Sequence, residues 1–377
     1  MPTARAAVFV APRQPFELRE YPVPEPGPDE ILVQITQTNV CGSDVHMWRG
    51  DMAPVAGGLP PIILGHEMTG RAAKLGRNAQ TDSLGQPLAE GDQLVWVYYT
   101  PCGRCRPCLR GLPHACMGSL VSIMRPCEEP PHFVGGFAEY YVLNVRQGLF
   151  KVPDGLGDDE VAGANCALAQ VIFGLEQAAL SFGETVVIQG AGGLGLYATA
   201  VARDMGAEKV IVIDAIPARL QLARELGADA TIDVTEIAHP RARTQRVLEL
   251  TDGWGADVVV EVVGIPDVVP EGIRMLARGG RYLLMGSIAP KQTYSEDPSI
   301  LIGSNRSIIG VSLYPPLVLK QAIDFLARSR ARLPLSRIAS QVFPLDAIND
   351  AFAAADAFAQ TKQQVARVGV RPHLGRA

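Results

Sequence analysis

Four cysteines crowd into fifteen residues, Cys102, Cys105, Cys108 and Cys116, with the spacing C-x2-C-x2-C-x7-C. Two-residue gaps let thiolates converge on one ion, and four thiolates suit tetrahedral zinc or an iron–sulfur cluster. A site closed by four protein ligands ties down a loop and leaves no position for a substrate. Three residues scattered along the chain, Cys41, His66 and Cys166, offer a different arrangement. Each alone reads as an ordinary buried side chain. Together they make a Cys2His set with a fourth position free for water or substrate, where zinc acts as a Lewis acid on an alcohol oxygen. Ser43 and His46 follow Cys41 closely, and a hydroxyl and an imidazole can hand a proton outward, by way of a cofactor ribose. Asp44 and Glu67 read as carboxylates that orient His66. Cys127 has no partner in this scheme.

The second chemical feature is ETVVIQGAGGLG, residues 184–195. Gly190, Gly192 and Gly195 follow G-x-G-x-x-G between a β-branched run, 185–189, and a helical pattern over 193–205. In that context Gly190 permits the turn, Gly192 admits a pyrophosphate, and Gly195 lets helix and strand pack closely. Gly193 and Leu194 open the helix, whose free N–H groups and partial positive charge favour phosphate. Asp214 ends the next strand, 24 residues after Gly190. A carboxylate there accepts two ribose hydroxyls and repels a 2′-phosphate. Arg219 lies on the following helix and can hold the ribose or adenine edge. Ala215 and Ile216 supply no cation for a phosphate, so the expected cofactor is NAD rather than NADP.

The elements that must position these residues fall into three stretches. Residues 4–40 and 62–144 read as short strands broken by turns, one β-rich domain interrupted by a polar insertion, 78–90, and a long irregular connection, 117–134. CGSDVHMWRGD reads as a reactive loop between two of these strands. From 185 to 287 strand and helix alternate, which calls for a parallel sheet with helices on both faces. From about 305 the rhythm changes: a strand RSIIGVSLY, a helix 315–329, then strand, helix and a last strand over 364–370, a tail expected to return to the first domain. The 377 residues are 47% hydrophobic and 19% charged, with net charge −5 and no basic block, so nucleic acid is not the expected partner. The N-terminus has no apolar core of a signal peptide, and no apolar run is long enough to span a membrane, which leaves the cytoplasm as the expected compartment.

CGSDVHMW, ILGHE, the four-cysteine lobe, NCALAQVIFGL and GAGGLG occur in that order. With these motifs the chain resembles the zinc-dependent medium-chain dehydrogenase/reductase family, alcohol dehydrogenase type, along essentially its whole length. The resemblance implies an α/β fold: a Rossmann doubly wound parallel sheet, 168–302, inserted in a GroES-like β-rich catalytic domain, 1–167 and 303–377. It implies one catalytic and one structural zinc per subunit, NAD(P) in the cleft between the domains, and a homo-oligomer, dimer or tetramer, with RSIIGVSLY extending a sheet across the dimer. Family members carry Cys or Glu as third catalytic ligand, and NCALAQVIFGL puts Cys166 in register with the cysteine branch. Gln170 stands where many members have Thr and is expected at the nicotinamide or the pocket. Gly42 stands where liver-type enzymes have an Arg for the pyrophosphate. By register, Met285 and Val311 offer backbone groups to the nicotinamide carboxamide, and Arg367 pairs with Glu67. Trp48, Met117, Phe133 and Leu313 are the expected pocket residues, and their apolar character suggests medium or aromatic alcohols. The implied activity is reversible hydride transfer between an alcohol and its aldehyde or ketone, with NAD. The alternatives are a polyol or sugar-alcohol (cyclitol-type) dehydrogenase of the same family and, outside enzymes, a zinc-stabilised nucleotide-binding sensor.

Overall fold

The computed structural model describes residues 2–52, 58–361 and 367–375. The first stretch supplies β1 (Thr3–Phe9), β2 (Glu17–Pro22), β3 (Glu30–Asn39), β4 (Ile62–Ile63), β5 (Glu67–Leu75), β6 (Gln93–Trp96), β7 (Tyr140–Asn144) and β8 (Leu149–Lys151). The middle supplies β9 (Thr185–Gln189), β10 (Lys209–Asp214), β11 (Ala230–Asp233), β12 (Ala256–Glu261), β13 (Leu276–Leu284) and β14 (Ser307–Gly310). The tail adds β15 (Ala339–Pro344) and β16 (Arg367–Arg371). Residues 364–366 of the expected last strand lie outside the described residues. No described helix is long and apolar enough to cross a membrane.

The middle strands form one parallel sheet in the order β11-β10-β9-β12-β13-β14. Val258, Val259 and Val260 of β12 are all fully buried, because helices cover both faces and no alternation survives. The strand order reverses beside β9, and a crevice opens there at the C-terminal ends of β9 and β12, where doubly wound sheets bind ligands. The α/β reading of the sequence holds.

A mostly antiparallel sheet, β15-β16-β3-β5-β6-β8 with β7 also on β3, carries the rest of the chemistry. Its register does the assembling. Asn39 of β3 faces Glu67 of β5, so Cys41 and His66, just beyond those residues, emerge side by side. Gly369 of β16 faces Asn39 from the other flank, which brings Arg367 to the same end. The tail therefore does return to the N-terminal part.

Two elements differ from their sequence reading. CGSDVHMWRGD is not a loop: Gly42–Arg49 is a helix, with Cys41 extended at its N-cap and Gly50 closing it at φ 87°. Asp44 secures the start by accepting the Cys41 N–H (3.0 Å). RSIIGVSLY is strand only to Gly310. Beyond it the Val311 carbonyl accepts from the Gln170 side chain and the Tyr314 hydroxyl donates to the Asn165 carbonyl, so the segment Val311–Tyr314 turns toward the Cys166 region.

Candidate functional site

The four lobe cysteines converge, with their sulfurs all within 4.8 Å of one another. Hydrogen bonds from the backbone N–H groups of Arg104 and Cys105 pull the Cys102 thiol down to about 6, and those of Cys108 and Met117 lower Cys105. Two of the four thiols thus lean toward thiolate, whereas burial and the bond to Cys105 push Cys108 up to about 12. Sulfurs crowded in this way suit a divalent metal.

A second cluster holds Cys41, His66, Cys166 and Glu67, again within 4.8 Å of one another, with His66 half-buried and the other three buried. Cys166 sits in a wide turn, Ala164–Leu168, where the Leu168 N–H reaches back five residues to the Gly163 carbonyl (3.2 Å). Such π-type turns cluster at functional sites. A hydrogen bond from Cys166, working against burial and with His66, holds the Cys41 thiol well below its ordinary value. The same bond, with burial, pushes Cys166 up. Burial opposes charge on His66, yet Asp44 and Cys41 together push it up to about 10. Two buried sulfurs next to an imidazole, with Glu67 Oε1 lacking any partner, form a donor set that fits a small divalent ion.

The helix Gly42–Arg49 arranges the surroundings. Asp44 Oδ1 lies 3.4 Å from His66 Nδ1, which leaves Nε2 for a metal. Ser43 Oγ lies 3.4 Å from that Nε2. His46, one helical turn on, shares the face of Ser43, and its Nδ1 is 2.8 Å from Asp51 Oδ2. Ser43, Asp44, His46 and His66 border a cavity of about 390 Å³ that runs from the cysteine–histidine cluster to the dinucleotide crevice. Its walls include Met47, Met52, Ile62, Leu120, Ile123 and Leu313, with Gln170, Leu194 and Met285 on the crevice side. No Lys, Arg or Glu borders it among the described residues.

At the glycine loop, Gly190 has φ 98°, which favours glycine. A Cβ on Gly195 would lie 1.8 Å from the Gly190 carbonyl oxygen, whereas one on Gly192 would meet nothing. Asp214 is built into this turn: Oδ2 accepts from Ala191 N–H (2.6 Å) and Oδ1 from Ile216 N–H (2.8 Å). Arg219 Nη1 stands 3.9 Å from the same carboxylate.

Two family models match the chain. Residues 27–154 match the alcohol dehydrogenase GroES-like domain and residues 193–328 the zinc-binding dehydrogenase domain. A 5-exo-hydroxycamphor dehydrogenase of Pseudomonas putida is 35% identical over 92% of this chain and 94% of its own length. The chain belongs to the zinc-binding dehydrogenase family, alcohol dehydrogenase type. An L-threonine 3-dehydrogenase of Sinorhizobium medicae (strain WSM419) is 30% identical over 93% of this chain and 95% of its own. Among solved structures, an alcohol dehydrogenase from Thermotoga maritima superposes with TM-score 0.89 at 32% identity, covering 98% of this chain and all (100%) of that one. A protein from Sinorhizobium meliloti 1021, solved with NADP bound, gives TM-score 0.82 at 26% identity over 99% of this chain and 100% of its own. This dehydrogenase is thus an oxidoreductase of the zinc-type family.

Several residues of the dehydrogenase sit elsewhere than the sequence reading put them. Trp48 does not reach the cavity: its ring packs near Phe352 (6.3 Å between centroids) and its Nε1–H donates to the Gln14 carbonyl. Phe133 is fully buried near Tyr21 and Tyr140, and Met117 is 88% exposed, so neither borders the cavity. Among the described residues the carboxylate paired with the His66 ring is Asp44, not Glu67. Glu67 pairs with Arg367, and this buried pair connects the cysteine–histidine cluster to the glycine loop. A Cβ on Gly193 would lie 1.9 Å from Arg367 Nε. Val311 does not border the cavity, and its carbonyl accepts from Gln170 Nε2 (3.4 Å). Sequence reasoning missed Tyr98, whose ring lies 4.8 Å from His66, and the short 3-10 turn Ser119–Met124 behind Leu120 and Ile123. The apolar residues just after Cys116 were the only signal for that turn.

Proposed function

We propose that this protein is a cytoplasmic, NAD- and zinc-dependent dehydrogenase that interconverts an uncharged, bulky secondary alcohol, cyclic in the best case, with its ketone. The observation that carries the reading is the cavity, apolar along its walls and free of Lys, Arg and Glu among the described residues. An amino acid such as threonine would bring a carboxylate and an ammonium group into a cavity whose Asp44, His46 and His66 side chains are already engaged with the Cys41 N–H, with Asp51 and with one another. Burying charges short of partners costs several kcal/mol. A polyol would strand hydroxyls against Met, Ile and Leu side chains. The hydroxycamphor dehydrogenase relative supports the cyclic alcohol. Adjacent free thiols fit a reducing compartment. β14 is an edge strand with Ser307 and Gly310 exposed, which supports pairing with a second copy, and the mass in solution tests it.

Zinc held by Cys41, His66 and Cys166 would supply a Lewis acid, and NAD the hydride acceptor. Asp44 fixes the His66 ring with Nε2 toward the cluster. Ser43 Oγ, beside that nitrogen, is positioned to take the proton of the substrate hydroxyl. His46 lies next on the same face, and Asp51 holds its ring so that the proton has a route outward. The apolar walls exclude water from the reacting end. Cys102, Cys105, Cys108 and Cys116 would hold a second zinc whose role is to brace the wall that carries Leu120 and Ile123.

Cofactor reduction followed with bicyclic and monocyclic secondary alcohols, L-threonine and a hexitol tests the reading. A cyclic secondary alcohol should exceed both polar substrates in kcat/KM by about 10²-fold or more. A preference for L-threonine would overturn it. In the same assay Asp214→Ser should raise KM for NAD by about 10–100-fold, through loss of charge-assisted hydrogen bonds, and should shift the NADP/NAD ratio of kcat/KM upward. An unchanged ratio would remove Asp214 from the cofactor assignment.

A further inference from the structure

Asn165 precedes Cys166 and is completely buried. Its side-chain amide spends both N–H donors and its oxygen on the backbone of two other segments. Oδ1 accepts from Met68 N–H (3.2 Å), and the two N–H groups donate to the His66 carbonyl (3.0 Å) and the Trp96 carbonyl (3.0 Å). Met68 lies on β5 next to His66, and Trp96 ends β6. One side chain therefore spans from the Cys166 turn to the strand that presents His66. The turn itself is held from behind. The Tyr314 hydroxyl donates to the Asn165 carbonyl, and the Tyr99 hydroxyl donates to the Tyr314 carbonyl (2.5 Å). Both tyrosines are fully buried. Tyr99 adjoins Thr100, whose N–H closes the base of the cysteine lobe on the Ser119 carbonyl (3.1 Å). Tyr314 ends the segment Val311–Tyr314, which Gln170 also grips through the Val311 carbonyl.

Neither Asn165 nor Tyr314 borders the cavity, so neither touches substrate. Burying so many polar groups in one chain is costly unless every member is paired, and here each hydrogen bond ends on the backbone of a segment that carries a ligand, the lobe, or the crevice edge. We propose that Asn165 is a positioning residue that sets the distance between His66 and Cys166, and that Tyr314 locks the Cys166 turn in that register. The inference rests on the reading that Cys41, His66 and Cys166 hold a metal. It makes the closed cysteine lobe and the open site mechanically continuous through Tyr99, Tyr314 and Asn165.

Asn165→Asp is the sharpest variant, because it keeps the shape and the Met68 bond but sets a carboxylate against two carbonyl oxygens. Tyr314→Phe is the milder one and removes a single hydroxyl. Cobalt(II) placed in the Cys41–His66–Cys166 site reports ligand geometry through its visible bands, and zinc release to a chelator reports affinity. In folded Asn165→Asp the cobalt bands should shift, and zinc should leave this site about 10–100-fold more readily, while the lobe ion stays. Tyr314→Phe should change both in the same direction and by less. Cobalt bands and release rates equal to wild type in both folded variants would overturn the positioning role while leaving the metal assignment intact. Absence of cysteine-to-cobalt bands from the wild-type protein would overturn both.

Discussion

Replacing His66 by Ala should lower turnover by about 10³–10⁴-fold and leave one zinc per chain in place of two, because only one of the two ligand clusters would remain complete. The size follows from the several kcal/mol of charge stabilisation that a Lewis acid contributes, at about 1.4 kcal/mol per factor of ten. The loss should fall on kcat, with KM for NAD nearly unchanged, since His66 borders the alcohol end of the cavity and not the glycine loop. The fold should persist. His66 is held at a sheet end whose neighbours Met68 and Asn39 stay paired without its ring. Elemental analysis together with steady-state kinetics on the purified variant checks both numbers. Two zinc ions per chain in this variant would show that the second ion sits elsewhere.

The second large effect is on stability. Glu67 is wholly buried and Arg367 only 4% exposed, and they pair across the sheet from β5 to β16. Arg367→Met removes the countercharge and leaves a carboxylate in the interior with Oε1 already lacking a partner. Breaking a buried pair from one side costs about 3–5 kcal/mol, far more than the pair contributes when intact. Denaturant unfolding of Arg367→Met should show that loss, and the double variant with Glu67→Gln should recover most of it, because a neutral amide needs no countercharge. If the double variant is no more stable than Arg367→Met, the cost lies in packing against Gly193 rather than in the stranded charge. The single variant should also weaken NAD binding, since the guanidinium lies under the first turn of the helix Gly193–Asp204.

What the sequence made legible divides by distance along the chain. The cysteine lobe and the glycine turn are local, so spacing alone carries their geometry. The parallel sheet follows from alternation of strand and helix, and the family resemblance agrees with it. Cys41, His66 and Cys166 are far apart, and nothing in their spacing says that the β3–β5 register and the wide turn at Ala164–Leu168 bring them within reach. The resemblance supplied that grouping. Side-chain direction was the main failure. Once Gly42–Arg49 is a helix, Ser43, His46 and Met47 share the face toward the cavity, and Trp48, a further 100° round, turns away onto Phe352. Reading the stretch as a loop hid this phase. The Glu67–Arg367 pair followed from the resemblance, whereas only the structure shows that Asp44 is the carboxylate paired with the His66 ring. Asn165 gave no signal, because a polar residue inside an apolar run is visible only as an anomaly until its three backbone partners are known.

The central claim is that an ion in the Cys41–His66–Cys166 cluster is required for alcohol oxidation. Stepwise removal of zinc by a chelator, counting ions while following cofactor reduction, tests it most directly. The account predicts two zinc ions per chain at the start, one for each ligand cluster, with activity falling in proportion to loss from the open cluster and returning when zinc is restored. Full activity in protein whose open cluster has been emptied would contradict it.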